Sequence, residues 1–206
     1  MPSPALSRLD VREPRGAVLL LHGGRQRSDV PVDGRSASWR LAQLLQREVA
    51  LSARRRDVAV WALRYGVRGW NGGRPVQDAR WALDRMRADL GDLPVVLVGH
   101  SMGGRTAISV ADDPRVVGVV GLAPWIAEDT PTAPLTGKRL VAAHGRADRI
   151  TSFGATRAFT ERAARVAASA RFLDMGPLGH YLLRGHQRWR RIAADESLGM
   201  LAADAG

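Results

Sequence analysis

Six short apolar runs punctuate the chain: AVLLLH at 17–22, DVAVWAL at 57–63, PVVLVG at 94–99, RVVGVVGL at 115–122, RLVAAH at 139–144 and ARFLD at 170–174. Most are apolar at successive positions and do not alternate. That is the pattern of strands covered on both faces. Between them lie stretches of helical period. Residues 37–51 place Leu41, Leu44, Leu45 and Val49 on one face, and 76–90 do the same with Ala79, Leu83, Met86 and Leu90. Residues 103–111 are small, suited to close packing on a sheet. Residues 153–168 carry Phe159, Ala163 and Val166 at helical spacing, and 183–201 carry Trp189, Ile192 and Ala193. Strands alternating with helices predict an α/β fold: a three-layer α/β/α sandwich around a mostly parallel central sheet of about six strands, with right-handed crossovers. With 206 residues, no internal repeat and no dividing linker, a single domain over 1–206 is expected, its core at about 16–201.

One segment carries the sharpest chemical signal. Gly99-His100-Ser101-Met102-Gly103 fits G-x-S-x-G, and it stands between the strand VVLVG and the helical GRTAISVA. In that setting the serine occupies a strained strand-to-helix turn, flanked by glycines because chain segments nearly touch there. The helix N-terminus beyond it favours developing negative charge. Ser101 is therefore the candidate nucleophile. An upstream strand ends in His22-Gly23-Gly24, where a second oxyanion-binding amide belongs. Met102 N–H and Gly24 N–H are the expected pair, with Arg25 N–H as the alternative to Gly24. His22 reads as a brace for that loop.

A serine nucleophile needs a base, and the base an orienting acid. His180 follows the last apolar run, in GPLGH, and is preferred over His186, which falls at the start of the final helix. Asp148, in HGRADRIT, is preferred as the acid over Asp174 and over the pair Glu128 and Asp129. His100 and His144 read as hydrogen-bonded scaffolding. No H-E-x-x-H pair points to a metal, and neither G-x-G-x-x-G nor a phosphate-binding G-K-S/T is present, so no metal or cofactor is expected. The absence of cysteine excludes disulfides, thiolate metal sites and a Cys nucleophile.

The net charge of +11 raises the question of a polyanionic partner. Lys138 is the only lysine, so 30 of the 31 basic residues are arginine, and they are spread from Arg8 to Arg191. Short clusters at 54–56 and 184–191 form no basic tail, and no nucleic-acid-binding motif accompanies them. Nucleic acid is not the expected partner. No run approaches the ~20 apolar residues of a membrane span. The first residues lack the apolar stretch of a signal peptide, so a cytoplasmic location is expected.

The pieces LLLHGG, VVLVGHSMGG, HGRADRIT and GPLGH, in that order, resemble the α/β-hydrolase superfamily over residues 16–201. The likeness is strongest to its small, compact serine esterases and thioesterases. It implies Ser101 as nucleophile, Asp148 as acid, His180 as base, an acyl-enzyme and no cofactor. The substrate would be a small acyl ester or thioester. An acyltransferase or perhydrolase with the same residues, a silent member of the fold used for binding, and a polyanion-binding protein are the competing readings. The N-terminal strands are reduced relative to larger members. Only 16 residues, 123–138, separate two strands where many relatives insert a cap, so an open site is expected. Arg25, Trp70, Trp125 and Tyr181 are the candidate pocket residues. Trp39, Trp61, Trp81 and Trp189 are assigned to packing.

Overall fold

All six apolar runs form strands, each within one residue of its expected ends, in a computed structural model that describes residues 2–204. Residues 1, 205 and 206 of the expected domain lie outside the described residues. In chain order the elements are β1 (Ala5–Leu9), β2 (Gly16–Leu21), α1 (Ala37–Ala53), β3 (Val58–Arg64), α2 (Arg74–Leu90), β4 (Val95–His100), α3 (Met102–Ser109), β5 (Val116–Leu122), β6 (Arg139–His144), α4 (Phe153–Ala163), β7 (Ser169–Asp174) and α5 (His186–Ala202). The sheet is open, with order β1-β3-β2-β4-β5-β6-β7. Every pairing is parallel except β1 on β3, where Leu6 faces Leu63 and Leu9 faces Val60.

The sheet therefore has seven strands, one more than the six expected. The added strand, ALSRL, carries Ser7 and Arg8 among its apolar residues and is only half-buried. Contacts distant in sequence hold it: Ser7 Oγ donates to Gln46 Oε1 at 2.9 Å, and the Arg8 guanidinium lies 4.3 Å from the Trp61 ring centre. By contrast β2 and β4 are buried at every position, as their unbroken apolar sequences require.

Helices cover both faces. Helices α1 and α5 pack on each other and on the centre of the sheet, α2 and α3 pack together opposite them, and α4 covers β6 and β7. Trp61, Trp189, Phe159, Leu19 and Leu97 are among the fully buried side chains. Burying a side chain of this class contributes roughly 1.5–3 kcal/mol. Three expectations need correction. Helix α4 ends at Ala163, leaving Val166 in the following turn and partly exposed. Trp81 is 40% exposed and no core residue. Leu44 is 48% exposed, although it shares a helix face with buried Leu45. The link from β5 to β6 holds one short 3-10 turn, Ala133–Leu135, and no cap. Among the described residues no helix is long and apolar enough to cross a membrane.

Candidate active site

Because β2, β4, β6 and β7 run parallel, the loops that follow them emerge at one edge of the sheet. Those loops carry Gly24, Ser101, Asp148 and His180. Ser101 has φ 54° and ψ −119°, a conformation that side-chain-bearing residues rarely adopt. Its surroundings fix it there. Its N–H donates to Leu122 O at 3.1 Å, and its carbonyl accepts from Gly104 N–H at 3.0 Å and Trp125 N–H at 2.9 Å. A side chain on Gly103 would collide with the Leu21 carbonyl, and one on Gly99 with the Gly103 backbone. Both positions require glycine for close approach, as the motif predicts.

A chain of hydrogen bonds leads away from the serine. His180 Nε2 lies 3.0 Å from Ser101 Oγ, and His180 Nδ1 lies 2.8 Å from Asp148 Oδ2. With Nδ1–H donated to the carboxylate, Nε2 presents its lone pair to the serine hydroxyl. His180 is buried, and the Asp148 carboxylate is fully so. Burial opposes ionisation of Asp148. Hydrogen bonds from His144, His180 and the Thr151 and Ile150 amides outweigh it and hold the carboxyl well below the usual carboxylate range. Two backbone bonds, Arg146 N–H to Gly176 O at 2.7 Å and Ala147 N–H to Leu178 O at 3.1 Å, tie the acid loop to the histidine loop.

The other histidines are built in around this chain. His100 donates Nε2–H to the His180 carbonyl at 2.9 Å, and burial pushes its pKa down to about 4. His22 donates Nδ1–H to Gly23 O at 2.6 Å and accepts Tyr65 N–H at 3.2 Å, and burial lowers it likewise to about 4. Both rings are thus neutral braces. His144 comes closer to the chemistry than a generic scaffold residue, with Nε2 3.1 Å from Asp148 Oδ2 and Nδ1 2.8 Å from Thr156 Oγ1. Sequence reasoning missed Thr151. Its hydroxyl donates to Asp148 Oδ2 at 2.9 Å and lies 3.1 Å from His180 Nδ1. The available signal was the spacing: an aspartate accepts amides two and three residues onward in an Asx-type turn.

Of the two candidate amides beside Gly23, the structure separates them. Arg25 N–H donates to Arg68 O at 2.7 Å and is engaged. Neither Gly24 N–H nor Met102 N–H donates to any acceptor among the described residues. The alternative acids and base lie elsewhere. Asp174 forms an ion pair with Arg146, Asp129 pairs with Arg105, and His186 opens α5 without contact to Ser101.

Ser101 opens into a cleft of about 430 Å³, whose walls include Gly24, Arg25, Leu41, Arg68, Tyr181 and Leu183. Arg25 and Tyr181 line it. Trp70 and Trp125 do not. They form an edge-to-face pair with centroids 6.0 Å apart, and Arg105 lies 4.4 and 4.7 Å from the two ring centres. Arg105 sits one turn beyond Ser101 on α3, so the tryptophans clamp the helix and do not wall the cleft. A larger cleft, about 660 Å³, lies at the opposite end of the strands beside Pro94 and Arg115, remote from this chemistry. Among the described residues no group of three or more histidines and carboxylates is placed to hold a metal ion.

A mostly parallel open sheet between helical layers, with a strained serine on the turn after a central strand, defines the class. The chain belongs to the alpha/beta hydrolase family, whose model matches residues 18–204. Solved structures agree in fold. An α/β serine hydrolase without lid from Xanthomonas campestris superposes with TM-score 0.66 at 17% identity, over 95% of this chain and 88% of that one. Est1E from Butyrivibrio proteoclasticus gives 0.71 at 12%, over 97% and 94%. A monoacylglycerol lipase from Paleococcus ferrophilus gives 0.65 at 18%, over 96% and 99%. No curated protein sequence matches. The family supports hydrolase activity.

Proposed function

We propose that the protein is a serine hydrolase that cleaves a small carboxylic ester or thioester through an acyl-enzyme. The observation that carries this reading is the unbroken hydrogen-bond chain Ser101–His180–Asp148 at the floor of an open cleft. Ser101 Oγ attacks the substrate carbonyl carbon while His180 Nε2 takes the hydroxyl proton. Ionised Asp148 stabilises the imidazolium and holds it in place. Met102 N–H and Gly24 N–H bind the oxyanion, each worth roughly 3 kcal/mol. The C–O or C–S bond then breaks, and the leaving group takes the proton from Nε2. Water, deprotonated by the same nitrogen, releases the acid and restores Ser101. The esterase and lipase names among the structural neighbours favour the ester. Arg25 and Tyr181 are the substrate-facing walls in this reading.

The test is a rapid-mixing burst assay with p-nitrophenyl esters on the wild type and Ser101→Ala. A burst of p-nitrophenol and labelling by a fluorophosphonate are expected of the wild type. Both should be lost in the variant, with turnover reduced at least about 10⁴-fold. A variant that keeps the burst, or a wild type that shows neither burst nor label, would overturn the reading.

A further inference from the structure

A second hollow adjoins the cleft at Ser101. Leu41 and Leu183 line both the cleft and this hollow, which has about 220 Å³ and lies between α1 and α5. That hollow adds Leu44, Leu45, Leu182 and Trp189, and it reaches His186 and Arg190 at its far end. There Arg190 is held by Glu48 at 2.8 Å. Exposed leucines are concentrated along this path. Leu183 is 72% exposed and Leu44 48%, with Tyr181 at the mouth 63% exposed. A lone exposed leucine needs no explanation, but an apolar hollow that shares Leu41 and Leu183 with the cleft at Ser101 does. Two cations, Arg25 and Arg68, also line the cleft. Arg68 is partly held by Asp33 and Pro31 O, whereas the Arg25 guanidinium forms no ion pair among the described residues.

We infer that the groove between α1 and α5 receives the aliphatic acyl chain of the substrate, with a polar leaving group turned towards Arg25 and Arg68. The inference rests on the proposed acyl-enzyme reading and narrows its substrate class to unbranched aliphatic acyl esters. Apolar walls favour a chain without polar atoms. The division between an apolar lane and the two cations of the cleft assigns the two halves of the ester. Each methylene that enters the lane should raise kcat/KM about three- to fourfold, the value of removing one CH₂ from water. The gain should cease where the chain meets the Arg190–Glu48 pair.

Two measurements test this. First, kcat/KM is compared across p-nitrophenyl alkanoates from acetate to dodecanoate, and across n-alkyl acetates, for the wild type and for Leu44→Glu. A rise with acyl length in the wild type, flattened in Leu44→Glu, is expected. A flat acyl profile, or a rise confined to the alkyl acetates, would overturn the acyl assignment while leaving the hydrolase reading intact. Second, butyrate, octanoate and decanoate are titrated calorimetrically into Ser101→Ala and Ser101→Ala/Leu44→Glu. Affinity rising at least tenfold from butyrate to decanoate, and lost in the double variant, supports the groove whether or not any ester is turned over. Length-independent binding overturns it. Chain-dependent binding in a protein with no esterase activity and no fluorophosphonate label would retain the groove and sink the hydrolase reading. Because Leu44 is exposed, its replacement leaves the core packing untouched.

Discussion

Acid should unfold this protein through two buried histidines outside the Ser101–His180–Asp148 chain. His22 and His100 are buried with pKa values lowered to about 4, against an ordinary 6.5. Protonation of His22 would place a second N–H against Tyr65 N–H, where a lone pair now accepts. For His100 the free nitrogen, Nδ1, faces the glycine loop: a side chain on Gly23 would stand 3.2 Å from it. Both rings take a proton more readily in the unfolded chain. The unfolded state therefore binds more protons between pH 6.5 and about 4, and stability falls as the pH falls through that window. From pH 7 to pH 5 each ring costs about 2 kcal/mol, while ordinary carboxylates remain ionised. The assay is urea unfolding followed by tryptophan fluorescence and circular dichroism at the two pH values. His100→Gln retains an N–H for the His180 carbonyl but removes the titration. Its loss of stability between pH 7 and pH 5 should be smaller than that of the wild type by about 2 kcal/mol. Equal losses in the two proteins would refute the reasoning, whatever their absolute stabilities.

Asp148→Asn should leave the fold intact and lower kcat about 10⁴-fold, because an amide cannot hold His180 in the tautomer that accepts the serine proton; steady-state kinetics on any ester turned over will measure it. Gly24→Ala places a methyl group against the Met102 thioether and the Arg68 carbonyl. The displaced amide should reduce kcat by about 10²–10³ with little change in KM. Arg105→Ala removes two cation–π contacts and an ion pair to Asp129 from a side chain only 12% exposed. A loss of about 1–2 kcal/mol is expected in urea unfolding. A loss near zero would mean that the Trp70–Trp125 pair stands without its cation.

What could be read from the sequence was local, and what could not was assembled from distant parts. Ser101, Asp148 and His180 each sit in a short segment whose own residues announce a strand end and a turn. Parallel topology then brings the three together without further instruction. The six core strands were legible for the same reason, since unbroken runs such as VVLVG need cover on both faces. β1 was not, because its pairing depends on Gln46 and Trp61, neither of which lies nearby in sequence. Leu44 followed the helical period yet stayed exposed, because it borders the hollow between α1 and α5. Trp70 and Trp125 were correctly placed beyond strand ends, but only the packing shows them gripping Arg105. Thr151 escaped notice because a lone threonine carries no signal until its partner, Asp148, is known to be buried.

The histidine loop follows β7, which lies at the open edge of the sheet with β6 as its one neighbouring strand among the described residues, and is exposed or half-exposed along its length. Ser101 and Gly24, in contrast, follow strands buried in the middle. The reactive parts are thus distributed between the firmest and the loosest portions of one sheet. Edge strands open at lower free energy than central ones. As denaturant or temperature rises, His180 will therefore drift from Ser101 while the indoles of Trp61 and Trp189 are still enclosed. The Ser101–His180 hydrogen bond should be lost before the spectroscopic signature of the core, and the margin between the two transitions measures how tightly this border strand is stitched on.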